Sequence, residues 1–197
     1  YPSQTQLAGK DDEAANILKL GENKLTAQLP NMQGATDATH STYTINDGNV
    51  TYYPAMRYAY MTAYKPSEPV SNLSLTFEPI VTAVEITLQN NTKIKENGTP
   101  KDQDLEVEMI TLSHPTAALC GTFTADLETK MVTNVNADAS FKTVSVPTKM
   151  KSADGGTEKG NNLLLKPGKT VTVTAFMALD KNANLDLIKV SILANGQ

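Results

Sequence analysis

Tryptophan is absent, arginine occurs only as Arg57 and cysteine only as Cys120. A single arginine removes the bidentate clamps with which anion-handling sites usually hold phosphate or carboxylate. A single cysteine excludes an intramolecular disulfide framework and any cysteine-based zinc site. The two histidines, His40 and His114, lie far apart, and neither has a histidine or carboxylate at metal-ligand spacing. Both read as exposed or locally bonded side chains. No segment approaches the roughly 20 consecutive apolar residues that a membrane-spanning helix needs. Basic residues are also in deficit, 17 Lys and Arg against 21 Asp and Glu, for a net charge of −4 and a pI near 5.2. That balance argues against nucleic-acid binding, which needs concentrated positive charge.

What is present fits a folded globular protein. The 197 residues are 40% hydrophobic and 19% charged, enough for one large β domain or two small ones. The opening YPSQTQ, with no initiator Met or leader, reads as a mature or truncated form. Ala-Ala-Leu-Cys-Gly at Cys120 has the letters of a lipid-attachment box but follows polar β sequence. Cys120 therefore reads as a small buried residue, and with no cation beside it, pairing with His114 as a thiol nucleophile is rejected.

The most apolar, β-branched stretch is Leu73–Leu88, LSLTFEPIVTAVEITL. Apolar side chains fall on odd numbers before Pro79 (Leu73, Leu75, Phe77) and on even ones after it (Ile80, Val84, Ile86, Leu88). Side chains alternate faces along a strand, so the parity change predicts a bulge or bend at Glu78-Pro79. Elsewhere Ile17–Leu29 reads as two short strands around a Gly21-Glu22-Asn23 turn. Asp47-Gly48 centres a hairpin between Tyr43 and Tyr52, because such turns want positive φ. Residues 55–64 read as a strand covered on both faces, 65–71 as a linker with two prolines, and 89–104 as a polar connection. Leu105–Met109, LCGTF around Gly121, and Phe141–Val146 give further strands. The clearest alternation is Val171, Val173, Ala175, Met177 and Leu179 against Thr170, Thr172 and Thr174, before a last strand with Ile188, Val190 and Ile192. Residues 31–41 and Ser152–Asn162 read as loops, 127–140 as a polar stretch with scattered Val and Met, and Asp11-Asp12-Glu13 as the start of a short helical turn. About ten short strands without a long amphipathic helix predict an all-β sandwich.

Chemistry is sparse. Asp180, Asn182, Asn184 and Asp186 alternate like the opening of a calcium loop, but Leu185 stands where the EF-hand glycine belongs and Ser191 where its glutamate belongs. A polar hairpin tip is the favoured reading and a weak Ca²⁺ site the other. Asn49, Asn72, Asn90 and Asn97 each open an Asn-X-Ser/Thr sequon, and Gly155-Gly156 lacks the context of a phosphate loop. The carboxylates of Glu78, Glu106 and Glu108 fit strand surfaces. Tyr58, Tyr60 and Tyr64 read as core aromatics, with a ligand-stacking platform as the alternative. No catalytic set, metal site or cofactor site is expected, and the protein reads as non-enzymatic.

The order of features, VTYYP, a tyrosine-rich segment ending in TAYKP, LSLTFEPIVTAVEITL, then DLEVEMITL and LCGTFTADL, resembles the fimbrillin-like family of Bacteroides-type bacteria over roughly residues 43–127. The resemblance implies two β-sandwich domains of transthyretin-like topology, here divided as 1–70 and 71–197, the first short enough to lack an N-terminal portion. It also implies a fimbrial stalk, tip or anchor subunit, exported to the bacterial outer-membrane surface. Such subunits assemble by strand donation, in which ladder bonds give affinity and side-chain pockets give register. Two family features have no counterpart here: a lipid-attachment cysteine near the N-terminus, and an arginine placed for maturation cleavage, since Arg57 falls within a predicted strand. The expected partners are other fimbrial subunits, including copies of itself, and a host glycoprotein or glycan. Membrane contact is expected only through a lipid anchor. The terminal strand with Ile188, Val190 and Ile192 is the expected partner strand, because a terminal strand is topologically easiest to exchange. A carbohydrate-binding surface module built on Tyr58, Tyr60 and Tyr64 is the alternative.

Overall fold

A computed structural model describes residues 18–21, 23–34, 36–37, 40–41, 43–54, 56–63, 76–134, 138–150 and 161–194. In chain order the strands begin with β1 (Leu18–Gly21), β2 (Lys24–Leu29), β3 (Thr36–Asp37), β4 (His40–Ser41), β5 (Tyr43–Asn46) and β6 (Asn49–Tyr52). They continue with β7 (Met61–Thr62), β8 (Glu78–Pro79), β9 (Thr82–Gln89), β10 (Lys93–Glu96), β11 (Thr99–Asp102), β12 (Leu105–Ser113) and β13 (Gly121–Asp126). The last are β14 (Val132–Thr133), β15 (Thr143–Pro147), β16 (Lys149–Met150), β17 (Asn161–Leu165), β18 (Thr170–Met177) and β19 (Lys189–Ala194). The only helical elements among the described residues are three short 3-10 turns, so the all-β expectation holds.

Three sheets carry the structure. The first has the order β1-β2-β13-β14 and the second β5-β6-β18-β9. In the third, β12 is flanked by β19 on one side and by β15 and β17 on the other. β15 follows β12 from Ser113 back to Met109; there Thr148 leaves the ladder, and β17 takes its place from Val107 to Leu105. At that fork Thr148 is fully buried, its Oγ1 donates to the Val107 carbonyl at 2.7 Å and its N–H to the Glu108 carbonyl at 3.0 Å.

Among the described residues three ladders cross residue 70: the short β7–β8 pair and two that join strands far apart in the chain. β2 runs antiparallel to β13, from Lys24 opposite Asp126 to Leu29 opposite Gly121, and β6 runs parallel to β18 at Val50 and Thr51. Leu25, Leu29, Val50 and Tyr52 share one buried cluster with Ile110, Leu112, Phe123, Val171 and Met177. Residue 70 therefore does not separate two independently cored units among the described residues. Each fully buried aliphatic or aromatic side chain in such a cluster contributes about 1.5–3 kcal/mol.

Several sequence expectations are met at the level of single residues. Asp47 and Gly48 take φ of 48° and 75° in the β5–β6 turn. Val171, Val173, Ala175 and Met177 are buried along β18 as the alternation requires. The chain bends after β8, where Ile80 and Val81 are both buried, before β9 resumes alternation with Val84, Ile86 and Leu88 half-buried. Other expectations are corrected. Residues 56–63, the described part of the expected 55–64 strand, do not form one: Met56–Tyr58 is a 3-10 turn, and only Met61–Thr62 pairs, with Glu78–Pro79. The polar connection 89–104 holds the β10–β11 hairpin, turned at Asn97-Gly98 with φ of 50° and 81°. Gly121, with φ of 89°, opens β13 rather than interrupting a strand. The helical turn at Asp11-Asp12-Glu13, the 65–71 linker, Leu73 and Leu75, Asn72 and Gly155-Gly156 lie outside the described residues, as does all of the Ser152–Asn162 loop except its last two residues, which belong to β17.

Buried carboxamides close the seams between sheets. After β2 the chain passes to β15, where Ser145 N–H donates to the Asn31 carbonyl at 2.7 Å and Gln33 N–H to the Ser145 carbonyl at 2.8 Å. The Gln33 side chain then donates to the Phe176 carbonyl and accepts from the Phe176 N–H, both at 2.8 Å. Asn134 donates to the carbonyls of Cys120 (3.0 Å) and Ala178 (2.8 Å). Asn90 donates to those of Gln103 and Leu165, both at 2.8 Å, and accepts from Thr92 N–H at 2.9 Å. The buried Asn90 sequon is therefore consumed by the fold, whereas Asn97 is exposed at its hairpin tip.

Replacing Gln33 by Leu leaves the Phe176 N–H and carbonyl buried without a partner and should cost about 2–4 kcal/mol in urea unfolding. At the β13–β14 turn, Asp126 Oδ1 accepts the N–H groups of Thr129 at 2.7 Å and Glu128 at 3.0 Å. Hydrogen bonds from Thr129, aided by Glu128 and Lys24, hold this carboxyl below its ordinary value. A depressed carboxyl stabilises the fold above its unfolded pKa and loses that contribution as pH falls through the folded one. Asp126→Asn should therefore flatten the acid limb of the stability–pH curve, measured by denaturant midpoint.

Candidate functional site

Among the described residues, the terminal strand chosen from sequence lies at a sheet edge. β19 pairs with β12 through Ser113–Lys189, Leu112–Val190, Ile110–Ile192 and Val107–Ala194, with an irregularity between Val107 and Met109. Directly opposed residues of an antiparallel pair share a face. Ile110 and Leu112 are each 1% exposed, yet their neighbours Ile192 and Val190 are 40% and 48% exposed. The layer that covers β12 thus stops short of β19, and Leu193 on the opposite face is exposed as well. Ile188 is half-buried against the core and anchors the strand at its start. Among the described residues the outer edge of β19 has no ladder partner, and the strand carries apolar side chains on both faces, the combination that invites another strand.

Tyr58 and Tyr60, the described members of the tyrosine set, do not present a shared exposed platform. Tyr60 is buried, its hydroxyl donates to the Gln28 carbonyl at 3.0 Å, and its ring meets Phe123 edge-on at 5.8 Å. Burial pushes the Tyr60 hydroxyl up to about 12, and Tyr58 adds to the shift. Tyr58 is half-buried, with the Arg57 guanidinium 4.8 Å above its ring, and Tyr64 lies outside the described residues. Among the described residues the exposed aromatic side chains are Tyr53 and Phe77.

A cleft of about 450 Å³ opens where the loop after β12 meets the loop before β19. His114 joins its walls. The ring is buried, Nδ1 accepts the N–H groups of Ala117 (2.7 Å) and Thr116 (3.2 Å), and Nε2 lies 3.0 Å from the Asn184 carbonyl. With Nδ1 occupied as an acceptor, Nε2 carries the proton and donates to Asn184. His114 is thus the locally bonded histidine that its spacing suggested, while the side chain of His40 is outside the described set. In the Asp180–Asp186 segment the side-chain oxygens bond to their own loop: Asp180 Oδ1 accepts Asn182 N–H at 2.9 Å, and Asn184 Oδ1 accepts Asp186 N–H at 3.0 Å. Among the described residues no three His, Cys, Asp or Glu side chains gather as a metal site. Cys120 is buried, and burial raises its thiol to about 11, which leaves it protonated and unreactive at neutral pH.

Comparison with family models, with curated proteins and with solved structures found no match.

Tyr60→Phe removes one buried hydrogen bond and should cost about 1 kcal/mol. Because the unfolded tyrosine ionises near 10.0 and the folded one only near 12, wild-type stability should fall as pH rises through this window. The variant's alkaline slope should be shallower, read by urea unfolding from neutral to alkaline pH.

Proposed function

We propose that the protein is a non-enzymatic cell-surface subunit of fimbrial or adhesive type, exported to the bacterial outer-membrane surface, that assembles by strand exchange at β19. The observation that carries this reading is the exposure of Val190 and Ile192 beside the buried Leu112 and Ile110, on a strand whose outer edge has no ladder partner among the described residues. Soluble proteins ordinarily blunt such an edge with charge, proline or a covering element. Here Lys189 alone supplies a charge within the strand. Another subunit's strand laid along this edge would satisfy the free N–H and carbonyl groups and cover the apolar shoulder.

The order of hydrophobic motifs that resembles fimbrillin-like subunits supports the same reading, and sandwich layers of transthyretin-like topology belong to it. The two-domain form of that expectation is set aside, because β2 and β6 each ladder with a strand beyond residue 70. The alternative of a tyrosine-based carbohydrate-binding module loses its support with Tyr60 buried beneath Phe123 and Gln28.

Light scattering of the purified chain across concentration, before and after limited trypsin treatment, tests the proposal. Higher-order species are expected. Val190→Lys and Ile192→Lys should abolish them while shifting folding stability by no more than about 0.5 kcal/mol, because both positions are exposed. A monomer under every condition, or assembly that ignores both lysines, would remove strand exchange at β19 from the account.

A further inference from the structure

We infer that the cleft between residues 114–118 and 180–187 is a binding site for a neutral, hydroxyl-rich ligand, the terminal one or two sugar units of a glycan. The inference does not rest on the assembly reading, since the cleft is built from loops and the assembly edge from β19.

The size is suitable: about 450 Å³ lies in the lower half of the range, about 300–1,000 Å³, typical of small-ligand sites. The walls are held in place before any ligand arrives. His114 ties the 114–117 turn to Asn184, and Asn134 fastens the base of the cleft to Cys120 and Ala178. A site that is already ordered loses little entropy on binding.

The lining selects the chemistry. Asp180 uses Oδ1 for the Asn182 N–H, and no bond engages its second oxygen among the described residues. The Asn182 carboxamide likewise has no partner there, and the Thr116 hydroxyl is exposed at the rim. Together these offer a charged acceptor, an amide that both donates and accepts, and a hydroxyl. Ala117, Ala183 and Leu187 supply apolar surface of the kind that meets the C–H face of a sugar ring. Among the described residues no lysine or arginine lines the cleft, which disfavours an anionic ligand, and its one lining carboxylate is too few for a calcium ion. None of its described lining residues belongs to a strand, which disfavours an extended peptide.

The test is a backbone amide NMR titration of the intact chain with galactose, glucose, mannose, fucose, N-acetylglucosamine and short oligosaccharides containing them. At least one should shift resonances confined to residues 114–118 and 180–187, with a dissociation constant of about 0.1–10 mM, as suits a shallow site. Asp180→Asn keeps the turn acceptor but removes the charge. With Asn182→Ala, it should weaken binding at least tenfold while resonances elsewhere stay in place. Val190→Lys should leave sugar binding unchanged, so failure of assembly and failure of the cleft are separately visible. No shifts with any sugar at tens of millimolar, shifts centred elsewhere, binding indifferent to both cleft variants, or the same amides moving with Ca²⁺ alone would each overturn the inference.

Discussion

The fold depends on one carboxamide acting as a piece of missing backbone. β6 accompanies β18 only at Val171 and Thr172, and farther along the same side of the strand Phe176 needs both a donor and an acceptor. Gln33 supplies the two together from a single planar group, as a strand residue would. Its own main chain meanwhile bonds to Ser145 in the sheet around β12. Asn134 and Asn90 repeat the device at other seams, each reaching carbonyls that no strand meets. Asn49 extends it to the start of β18 by accepting the N–H and hydroxyl of Thr170. Buried amides are costly unless bonded, so each one restricts the sheets to the arrangement that satisfies it.

The two ends of the sheet system treat water differently. β9 closes the β18 sheet with a polar outer face, where Thr87 shares a 2.9 Å hydroxyl contact with Thr172 and Glu85 is exposed. Its apolar side chains, Val84, Ile86 and Leu88, are half-buried against the core. β19 has the apolar letters of a covered strand without the cover. The β10–β11 hairpin is a third case, exposed at every residue and held by its ladder, its Asn-Gly turn and surface pairs such as Lys93 with Asp102 and Lys101 with Glu96. Such surface pairs contribute little individually, so the turn chemistry sets this hairpin's register.

Periodicity made legible the elements with one wet and one dry face. β18 and the β5–β6 hairpin were predicted nearly residue for residue, because alternation and Asp-Gly chemistry are local properties. The β10–β11 hairpin escaped detection because neither face is buried, which leaves no alternation to find. Residues 55–64 misled in the opposite sense. Their spaced tyrosines mimic a two-sided strand, but Tyr60 is buried through contact with Phe123 and Gln28, which local spacing does not encode. The stretch around Pro79 is the most apolar in the chain, yet β9 lies at a sheet edge, while β12, with Glu106 and Glu108 among its residues, holds the centre. At the candidate sites, the terminal strand β19 was legible from the alternation of Val190 and Ile192. The cleft was not, because His114 and Asp180 belong to separate loops, and Gln33 sits in a segment, NMQG, that reads as plain loop.

The long reach of the Gln33 bond governs the order in which the chain can fold. Its partner Phe176 is 143 positions away, and β2 and β6 likewise find their neighbours in strands far along the chain. Ladders of this kind carry a high loop-closure cost before they return any stabilisation, and proteins dominated by them fold slowly. A ribosome-bound chain that has emerged only as far as β12 still lacks β13, β18 and the Phe176 partner of Gln33. Its early strands form only local pairs such as β1–β2 and β5–β6 until the residues around β18 are free to close the sheets.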